Sequence, residues 1–369
     1  KARTRTVLTR MARLGFIPEG SVERYAKEAA SLVEARQRQP EVSFWRMRVN
    51  EAPYVAEYVR RELEARYPKE RILKGGLRVR TTFDLDVQRA AQEALRSGLG
   101  ALQGELGAAG GLAGRSPAVP ALAGAIGAAG PLLQGGLAVV RSTDGAILAL
   151  AGGTGFNFQN QLIRAVDSRR PVGSSLKPFV YAAAFGSGRF KPEDTMVDEP
   201  LTYRFGRKTW SPQNYDKKYR GEVTLSTAVH QSINTVAVRV LERTGVEPVI
   251  RLLSAATGAP ERRFPRDLTL ALGTFDLSPL ELARGYATLA NGGKSPVPYF
   301  LRAVEDREGK VLLPGGPQGE PAQVLEPALC STMTAVLRGV LGPGGSAHGA
   351  AVRAGLTVPA AGKTGTTSD

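Results

Sequence analysis

The sequence predicts an α+β fold in which helices pack on an antiparallel sheet. Three observations lead to this prediction: two apolar strands flank the turn Asp144-Gly145, helical stretches fill the middle of the chain, and a strand-like segment begins at Lys363. An Asp-Gly pair between apolar runs is typical of a β-hairpin. With 369 residues, 42% of them hydrophobic and 22% charged, the chain is long enough for two or three globular domains.

The elements before the hairpin are mostly helical. Residues 3–35 show helical periodicity with a break at 15–18, which predicts a helical hairpin. A helix, a strand and a second helix follow, over 53–67, 77–83 and 85–102. The Ala/Gly/Pro-rich stretch from about 104 to 134 contains many helix breakers, which favour a flexible insertion over a membrane span.

The elements after residue 136 alternate strands and helices. The hairpin strands are predicted over 137–141 and 146–151, and two further strands, at 299–305 and 311–313, flank a turn. The predicted helices lie at 174–186, 224–244, 247–257, 278–291 and 326–341. Together they predict helices packed on antiparallel strands.

The charge and the scarcity of certain residues restrict the function. The 49 basic and 34 acidic residues leave a net charge of +15, which indicates an anionic neighbour such as nucleic acid, a membrane surface or a wall polymer. No zinc-finger, RNA-recognition or helix-turn-helix signature accompanies this charge, so we expect no nucleic-acid partner. One cysteine, Cys330, and two histidines, His230 and His348, predict no metal site, no cofactor and no Ser-His-Asp triad.

A serine and a lysine stand one helical turn apart after a glycine. Ser174 begins an apolar helix, and Lys177 lies on the same helix face, so that its amine can approach the hydroxyl. A lysine can deprotonate serine only when burial or a second cation lowers the pKa of its amine. Taken alone, this spacing arises easily by chance.

Two further motifs strengthen the hypothesis of a serine enzyme. Ser232 and Asn234, on the helix predicted from Thr224, form the only Ser-x-Asn in the chain. Lys363-Thr364-Gly365 is predicted to form an edge strand whose glycine admits a substrate backbone. Each motif also fits a structural interpretation, a polar helix face and a loop respectively. In the order Ser-x-x-Lys, Ser-x-Asn, Lys-Thr-Gly, they form the signature of acyl-transferring serine enzymes.

With these motifs, the chain resembles the transpeptidase region of the class A, bifunctional penicillin-binding proteins. Further segments that resemble the family lie at 145–153, 164–181, 210–215, 272–283 and 286–293. The resemblance implies the fold of penicillin-binding transpeptidases and serine β-lactamases, in which an antiparallel sheet is flanked by helices and joined to a helical subdomain. A small mixed linker region would precede it.

The resemblance also implies three regions. Residues 1–40 would be the last helices of a glycosyltransferase domain, 41–136 an interdomain linker with the Ala/Gly/Pro-rich insertion, and 137–369 a transpeptidase domain that stops before the family's last strands and helix. The glycosyltransferase active site would lie upstream. Ile163 stands where the family often has asparagine.

The implied reaction is acyl transfer on peptidoglycan stem peptides that end in D-Ala-D-Ala. Ser174 would be the nucleophile, which β-lactams would acylate, and Lys177 its base. Ser232 would relay a proton, and Asn234 would hold the substrate amide. The remaining assignments are Lys363, Thr364 and Thr366 for the substrate carboxylate, Gly365 for close approach of the substrate, and the backbone N–H groups of Ser174 and Thr366 for the oxyanion hole.

The resemblance further implies a location on the outer face of the bacterial cytoplasmic membrane, anchored through an N-terminal segment absent from this chain. The membrane surface and other cell-wall synthesis proteins are the remaining expected partners.

Two other functions fit the motifs: a D,D-carboxypeptidase or β-lactamase, and a non-catalytic penicillin-binding sensor or scaffold. Between Asn234 and Lys363 no glutamate stands three or four residues before an asparagine, which counts against a class A β-lactamase.

Overall fold

The computed structural model describes residues 2–38, 50–108, 133–157, 160–206 and 208–367. Its α-helices, numbered in chain order, are α1 (Ala2–Arg13), α2 (Val22–Arg38), α3 (Pro53–Glu64), α4 (Lys69–Lys74), α5 (Leu85–Ala108), α6 (Arg164–Asp167), α7 (Lys177–Gly186), α8 (Leu225–His230), α9 (Asn234–Thr244), α10 (Val246–Thr257), α11 (Pro279–Ala290), α12 (Pro327–Arg338) and α13 (His348–Arg353). No helix among these residues is long and apolar enough to cross a membrane.

The strands are short and pair in antiparallel fashion. They are β1 (Arg78–Thr81), β2 (Leu137–Val140), β3 (Ile147–Ala151), β4 (Arg170–Pro171), β5 (Thr195–Asp198), β6 (Tyr203–Phe205), β7 (Lys208–Trp210), β8 (Gly221–Thr224), β9 (Asp276–Leu277), β10 (Lys294–Ser295), β11 (Leu301–Glu305), β12 (Val311–Pro314) and β13 (Ala322–Gln323). One sheet has the order β1-β11-β12, and the remaining strands form the pairs β2-β3, β4-β9, β5-β8, β6-β7 and β10-β13.

Most predicted elements are present near their predicted positions. The break at 15–18 separates α1 from α2, and the Asp144-Gly145 turn joins β2 to β3. Asp144 forms an ion pair with Arg141 at 2.6 Å and accepts a hydrogen bond from the Ala146 N–H, so its side chain closes the turn. The predicted flexible insertion falls mainly on 109–132, outside the described residues.

The strand before the hairpin does not stand alone. β1 pairs with β11, with Arg78 opposite Glu305, and Arg80 donates to the Glu305 carboxylate at 2.6 Å. A polypeptide stretch more than 200 residues downstream therefore completes this sheet. The predicted linker and the region after residue 136 share backbone hydrogen bonds.

The main core surrounds α7. This helix is apolar on all sides, and a helix of that kind is stable only when other elements cover it completely. Helices α9, α10 and α12 pack against it. Its fully buried side chains include Leu176, Phe179, Val180, Tyr181 and Ala184, counting the turn before it. A second, smaller cluster contains Val55, Ile147, Leu150, Ala165 and Phe300.

The predicted continuous helix over 224–244 is wrong. The chain forms α8 and α9 instead, separated by a turn in which Ser232 has a φ of +60°. The Ile233 N–H donates to Ala228 O, which closes the end of α8 and carries the Ile233 side chain into the core. A second helix then begins at Asn234, whose N–H is bound by the distant Asn214 side chain at 2.9 Å. Because this cap comes from another segment, the local sequence does not show that one helix ends and a second begins here.

The predicted edge strand at Lys363 is also not formed. Residues 361–367 belong to no helix and no sheet in the described part of the chain. A strand requires a neighbouring backbone aligned with it. Here the segment crosses the turn at 172–175: a Cβ on Gly365 would lie 2.9 Å from Val172 O and 3.1 Å from Ser175 Cβ.

Candidate active site

A tight backbone contact holds the segment that carries Ser174. β4 pairs with β9, and the next two N–H groups, of Val172 and Gly173, donate to Phe275 O and Gly273 O, both at 3.1 Å. Gly273 has a φ of +72°, and a Cβ there would overlap the Gly173 carbonyl oxygen, so this position requires glycine. The chain then turns through a 3-10 helix, Gly173–Leu176, directly into α7. Ser174 is thereby left half-buried at the edge of the core.

Lys177 connects two of the sequence motifs. Its side chain is fully buried, with 0% exposure. Its ammonium donates to Asn234 Oδ1 at 2.6 Å and to Ser232 O at 2.7 Å, and Ser232 Oγ lies 3.4 Å away. The left-handed turn at Ser232 directs both its carbonyl and its hydroxyl toward this amine. Among the described residues, the Ser174 hydroxyl itself has no hydrogen-bond partner.

The surroundings of Lys177 favour its neutral form. Burial lowers the pKa of the amine well below 10.5, and the positive charge of Lys363 lowers this pKa further. Both of the causes that can activate a lysine as the base for serine, desolvation and a second cation, are thus present. A neutral amine at this position can accept a proton from a neighbouring hydroxyl.

The Lys363 segment provides the second positive charge. Lys363 donates to Thr364 O at 3.0 Å and to Thr364 Oγ1 at 3.3 Å, and burial lowers the pKa of Lys363 to about 8. The Thr364 hydroxyl also lies 2.8 Å from Ser346 Oγ. Thr366 is exposed, and a Cβ on Gly173 would lie only 2.5 Å from its carbonyl oxygen. The third motif therefore lies against the turn that carries Ser174.

Comparison with known proteins agrees with this arrangement. Residues 135–369, more than half of the chain, match a family model described as the penicillin binding protein transpeptidase domain. The chain belongs to this transpeptidase family. Penicillin-binding protein 1A of Pseudomonas aeruginosa is 35% identical to it over 195 residues, which are 52% of this chain and 23% of that protein. Penicillin-binding protein 1A of Neisseria gonorrhoeae is 34% identical over 247 residues, 65% of this chain and 30% of that protein.

The chain therefore aligns with less than a third of the length of these penicillin-binding proteins. Among solved structures, penicillin-binding protein 1A from Haemophilus influenzae has a TM-score of 0.71 at 23% identity, covering 98% of this chain and 68% of that one. The D,D-transpeptidase domain of a peptidoglycan glycosyltransferase from Eggerthella lenta has a TM-score of 0.60 at 21% identity, covering 79% of this chain and 72% of that one. These structures confirm the predicted fold class.

The transpeptidase fold brings the predicted site residues to one place, with one change in detail. The sequence predicts that the Lys177 amine approaches the Ser174 hydroxyl, whereas the amine is hydrogen-bonded to Ser232 and Asn234. Lys363, Thr364, Gly365 and Thr366 lie on the other side of the Ser174 turn. The described residues contain no cluster of three or more His, Cys, Asp or Glu side chains suited to a metal ion.

Sequence reasoning missed several groups that support the site. Asn214 and Asp198 lie beneath Asn234, Ser346 contacts Thr364, and Gly273 holds the Ser174 turn. Asn214 lies within 210–215 and Gly273 within 272–283, two segments in which the sequence already resembles the family. That resemblance is the only signal that could have directed attention to them, because a single asparagine or glycine carries no chemistry of its own.

Proposed function

We propose that this chain is the catalytic part of a serine D,D-transpeptidase that crosslinks peptidoglycan stem peptides and is inhibited by β-lactams. The observation that carries this proposal is Lys177, a buried amine held by both residues of the Ser-x-Asn motif, one turn after Ser174. Membership of the transpeptidase family supports the same reaction class.

In the first step, Ser174 Oγ attacks the carbonyl carbon between the two terminal D-alanines. The neutral Lys177 amine takes the hydroxyl proton, with Ser232 Oγ at 3.4 Å available as a relay. The negative charge on the carbonyl oxygen is stabilised by the backbone N–H groups of Ser174 and Thr366. The peptide C–N bond breaks, the departing D-alanine nitrogen receives the proton, and an ester to Ser174 remains.

In the second step, an amine from a neighbouring stem peptide attacks the ester carbonyl. The amine passes a proton to Lys177, the ester C–O bond breaks, and the serine oxygen recovers its proton. The new amide is the crosslink. Asn234 would hold the amide of the donor peptide, and Lys363 with Thr364 and Thr366 would bind its terminal carboxylate, with Gly365 leaving room for the peptide backbone.

We further propose that the chain comprises three regions. Residues 1–40 would be the last helices of a glycosyltransferase domain, 41–136 the linker, and 137–369 the transpeptidase domain. The whole protein would act at the outer face of the cytoplasmic membrane, together with other wall-synthesis proteins. The excess of basic over acidic residues among the first 100, 21 against 13, suits an anionic membrane surface.

A fluorescent penicillin followed by peptide mass analysis tests this proposal. We expect one covalent adduct, on Ser174, that is absent in Ser174→Ala and unchanged in Ser331→Ala, which removes an exposed hydroxyl bonded only within its own helix. An adduct on another residue, or none on the folded chain, would refute the assignment.

A second measurement separates crosslinking from hydrolysis. With a stem peptide as donor and a free amine as acceptor, a transpeptidase yields the amide product, whereas a carboxypeptidase yields only the shortened acid. Rapid turnover of a chromogenic cephalosporin would indicate a β-lactamase. A stable adduct without turnover of any peptide would indicate a penicillin-binding sensor.

A further inference from the structure

A buried polar cluster lies beneath Asn234. It consists of the side chains of Asp198, Asn214 and Thr235 together with Arg220, and we call it the Asp198 cluster. Asp198, Asn214 and Thr235 are all buried, with exposures of 1%, 4% and 0%. Asp198 ends β5, Asn214 and Arg220 lie in the loop between β7 and β8, and Thr235 lies in the first turn of α9. Burying polar groups costs free energy unless they are hydrogen-bonded, so the stability of this cluster depends on its hydrogen bonds.

Asn214 uses both ends of its side-chain amide. Its nitrogen donates to Asp198 Oδ1 and to Lys218 O, both at 2.8 Å. Its oxygen accepts from the N–H of Asn234 at 2.9 Å and of Thr235 at 3.4 Å. Two acceptors face one end and two donors face the other, so the amide has only one satisfactory orientation.

Asp198 fixes the donor end of that amide. Its Oδ1 also accepts from the Thr235 hydroxyl at 2.5 Å, and its Oδ2 accepts from the Arg220 N–H at 3.0 Å. The Arg220 guanidinium lies 3.6 Å from Oδ2 and balances the buried charge. Every described contact of the carboxylate is with a donor. Two of these donors connect it to the start of α9: Thr235 belongs to that helix, and Asn214 binds its first N–H groups.

The Asp198 cluster in turn determines where Asn234 lies. The Asn234 N–H is bound by Asn214, and its side-chain nitrogen donates to Gln213 O at 2.7 Å. Only the side-chain oxygen is left, and it accepts from Lys177 at 2.6 Å. The segment 213–214 therefore holds both nitrogens of Asn234, while its oxygen faces the amine.

We propose that Asp198 and Asn214 are positioning residues for the base, acting through Asn234 on Lys177. Neither side chain touches the amine. Their effect is to hold the acceptor that orients it, and a misplacement of about 1 Å in such a group can reduce a reaction rate substantially. This inference rests on the proposed function, in which Lys177 deprotonates Ser174.

Two substitutions in the full chain test the proposal. Asn214→Ala removes the support of Asn234, and we expect the second-order rate of acylation by labelled penicillin to fall about tenfold or more, the scale of one well-aligned hydrogen bond. Asp198→Asn replaces one of the two carboxylate oxygens by an NH2 group, so the side chain can no longer accept hydrogen bonds from both Arg220 and Asn214. We expect a smaller loss of about threefold to fivefold.

The matched control is Asn160→Ala. Asn160 also sits in a polar network, with bonds to Arg164, Tyr54 and Gly155, but none of these partners belongs to the site or to the Asp198 cluster. We expect it to lower the unfolding temperature with no change in the acylation rate. All rates are compared well below each variant's unfolding temperature, so that loss of folded protein does not contribute.

The pH profile distinguishes positioning from general damage to the fold. A hydrogen bond to the charged amine favours its charged form, so weakening the Asn234 contact lowers the pKa of Lys177 further. In Asn214→Ala, the acid limb of the acylation profile should therefore move to lower pH while the maximum rate falls. Lys363 is the charged group that faces the same amine, and its charge is unchanged in this variant.

A pair of substitutions at Thr235 covers the case in which Asp198→Asn does not fold. Thr235→Val keeps the side-chain shape and removes the hydrogen bond to Asp198, whereas Thr235→Ser keeps the hydroxyl. We expect Val to slow acylation about threefold and Ser to restore it, on the scale of a single hydrogen bond.

The proposal is overturned if Asn214→Ala and Thr235→Val acylate at the parent rate with the parent pH profile while the parent chain labels Ser174. It is equally overturned if their loss of rate matches their loss of stability and Asn160→Ala behaves in the same way. Failure of the parent chain to label Ser174 at all would instead remove the proposed function on which the inference depends.

Discussion

The two sides of the Ser174 turn are built in different ways. On one side is the base half, comprising Lys177, Ser232 and Asn234. Lys177 is buried and the other two are half-buried, and hydrogen bonds join Lys177 to the turn before α9 and to its first residue. On the other is the anion half, residues 363–367, in which 363 and 364 are half-buried, 365–367 are exposed, and the described partners are few. Its described contacts are the Ser346 hydroxyl and the backbone around Gly173, and Lys363 bonds only within its own segment.

Because of this difference, we expect substitutions in the two halves to affect the reaction to different extents. The base half forms together with the core, so its geometry is established when the protein folds. The anion half takes its position from the turn it rests on. Variants in the base half should therefore slow the reaction much more than variants in the anion half.

The largest expected effect contrasts the two lysines. Lys177→Met removes the base and should reduce acylation by penicillin about 10³-fold, within the range for loss of a general base. Lys363→Met removes a charge that assists binding and should cost about tenfold to a hundredfold. Rates are measured by mass spectrometry on variants that circular dichroism shows to be folded. Equal losses would mean that the two halves do not differ in the way described.

The next effect concerns the contact between the halves. Gly173 has a φ of +55°, and a Cβ there would lie 2.5 Å from Thr366 O. We expect Gly173→Ala to cost about 1–3 kcal/mol of stability and to slow acylation at least tenfold, because the Ser174 turn and the anion half must separate.

Gly188→Ala is the matched control for this glycine. Gly188 has a φ of +73° but nothing within 4 Å of its Cβ position, so it carries the backbone strain without the contact. We expect about 1 kcal/mol of destabilisation in denaturant unfolding and the parent acylation rate. Slow acylation in both variants would point to strain alone.

The third prediction is a pH dependence that belongs to the anion half. With the pKa of Lys363 at about 8, its charge is present below pH 8 and lost above it, so acylation by penicillin should decline through that value. Lys363→Arg keeps the charge and should remove the decline. A penicillin methyl ester, which has no carboxylate, should not show it in the parent protein. A decline that persists in the arginine variant would assign the titration to another group.

The same shift affects stability in a known direction. The unfolded state holds a proton on Lys363 up to its ordinary pKa of 10.5, while the folded state releases it near 8. Between these values the unfolded state binds more protons, so this residue makes the native state more stable as the pH rises. Chemical unfolding of the parent and Lys363→Met from pH 7 to 10 should show a smaller rise in the variant.

The smallest expected effect is at Ser346. Its exposed hydroxyl makes one hydrogen bond, to Thr364, so Ser346→Ala should reduce the affinity for penicillin about twofold to fivefold, as for a single exposed bond. The acylation rate at saturation should stay at the parent value. Ser331→Ala serves as control. A loss confined to the acylation rate at saturation would mean that Ser346 acts on the chemical step and not on binding.

Sequence reasoning succeeded where the signal is local. The hairpin around Asp144-Gly145 and the apolar helix after Ser174 follow from turn chemistry and from hydrophobic periodicity. Sequence reasoning failed where a group from a distant part of the chain determines the backbone conformation. The break at Ser232 depends on a cap from Asn214, and the path of 363–367 depends on the turn it crosses.

The site shows the same division. The three motifs and their order named Ser174, Lys177, Asn234 and Lys363 as a set, because their chemistry requires those residue types. The motifs did not indicate that Lys177 bonds to Ser232 and Asn234, since a lysine side chain can take many rotamers until packing selects one. The sequence did not single out Asp198 for a related reason. A carboxylate depends on its hydrogen-bond partners when it is buried, and the sequence does not show which aspartate is buried.

Residue type and spacing along the chain were enough to predict the fold class and to name candidate residues for acyl transfer, because turn chemistry, hydrophobic periodicity and the order of the three motifs are all features of the sequence. Only the tertiary structure decided how far Lys177 is buried, that Lys363 adds its charge to the same amine, and that the Asp198 cluster supports Asn234. Burial and electrostatic interaction are properties of groups brought together from distant parts of the chain, and no local pattern encodes them.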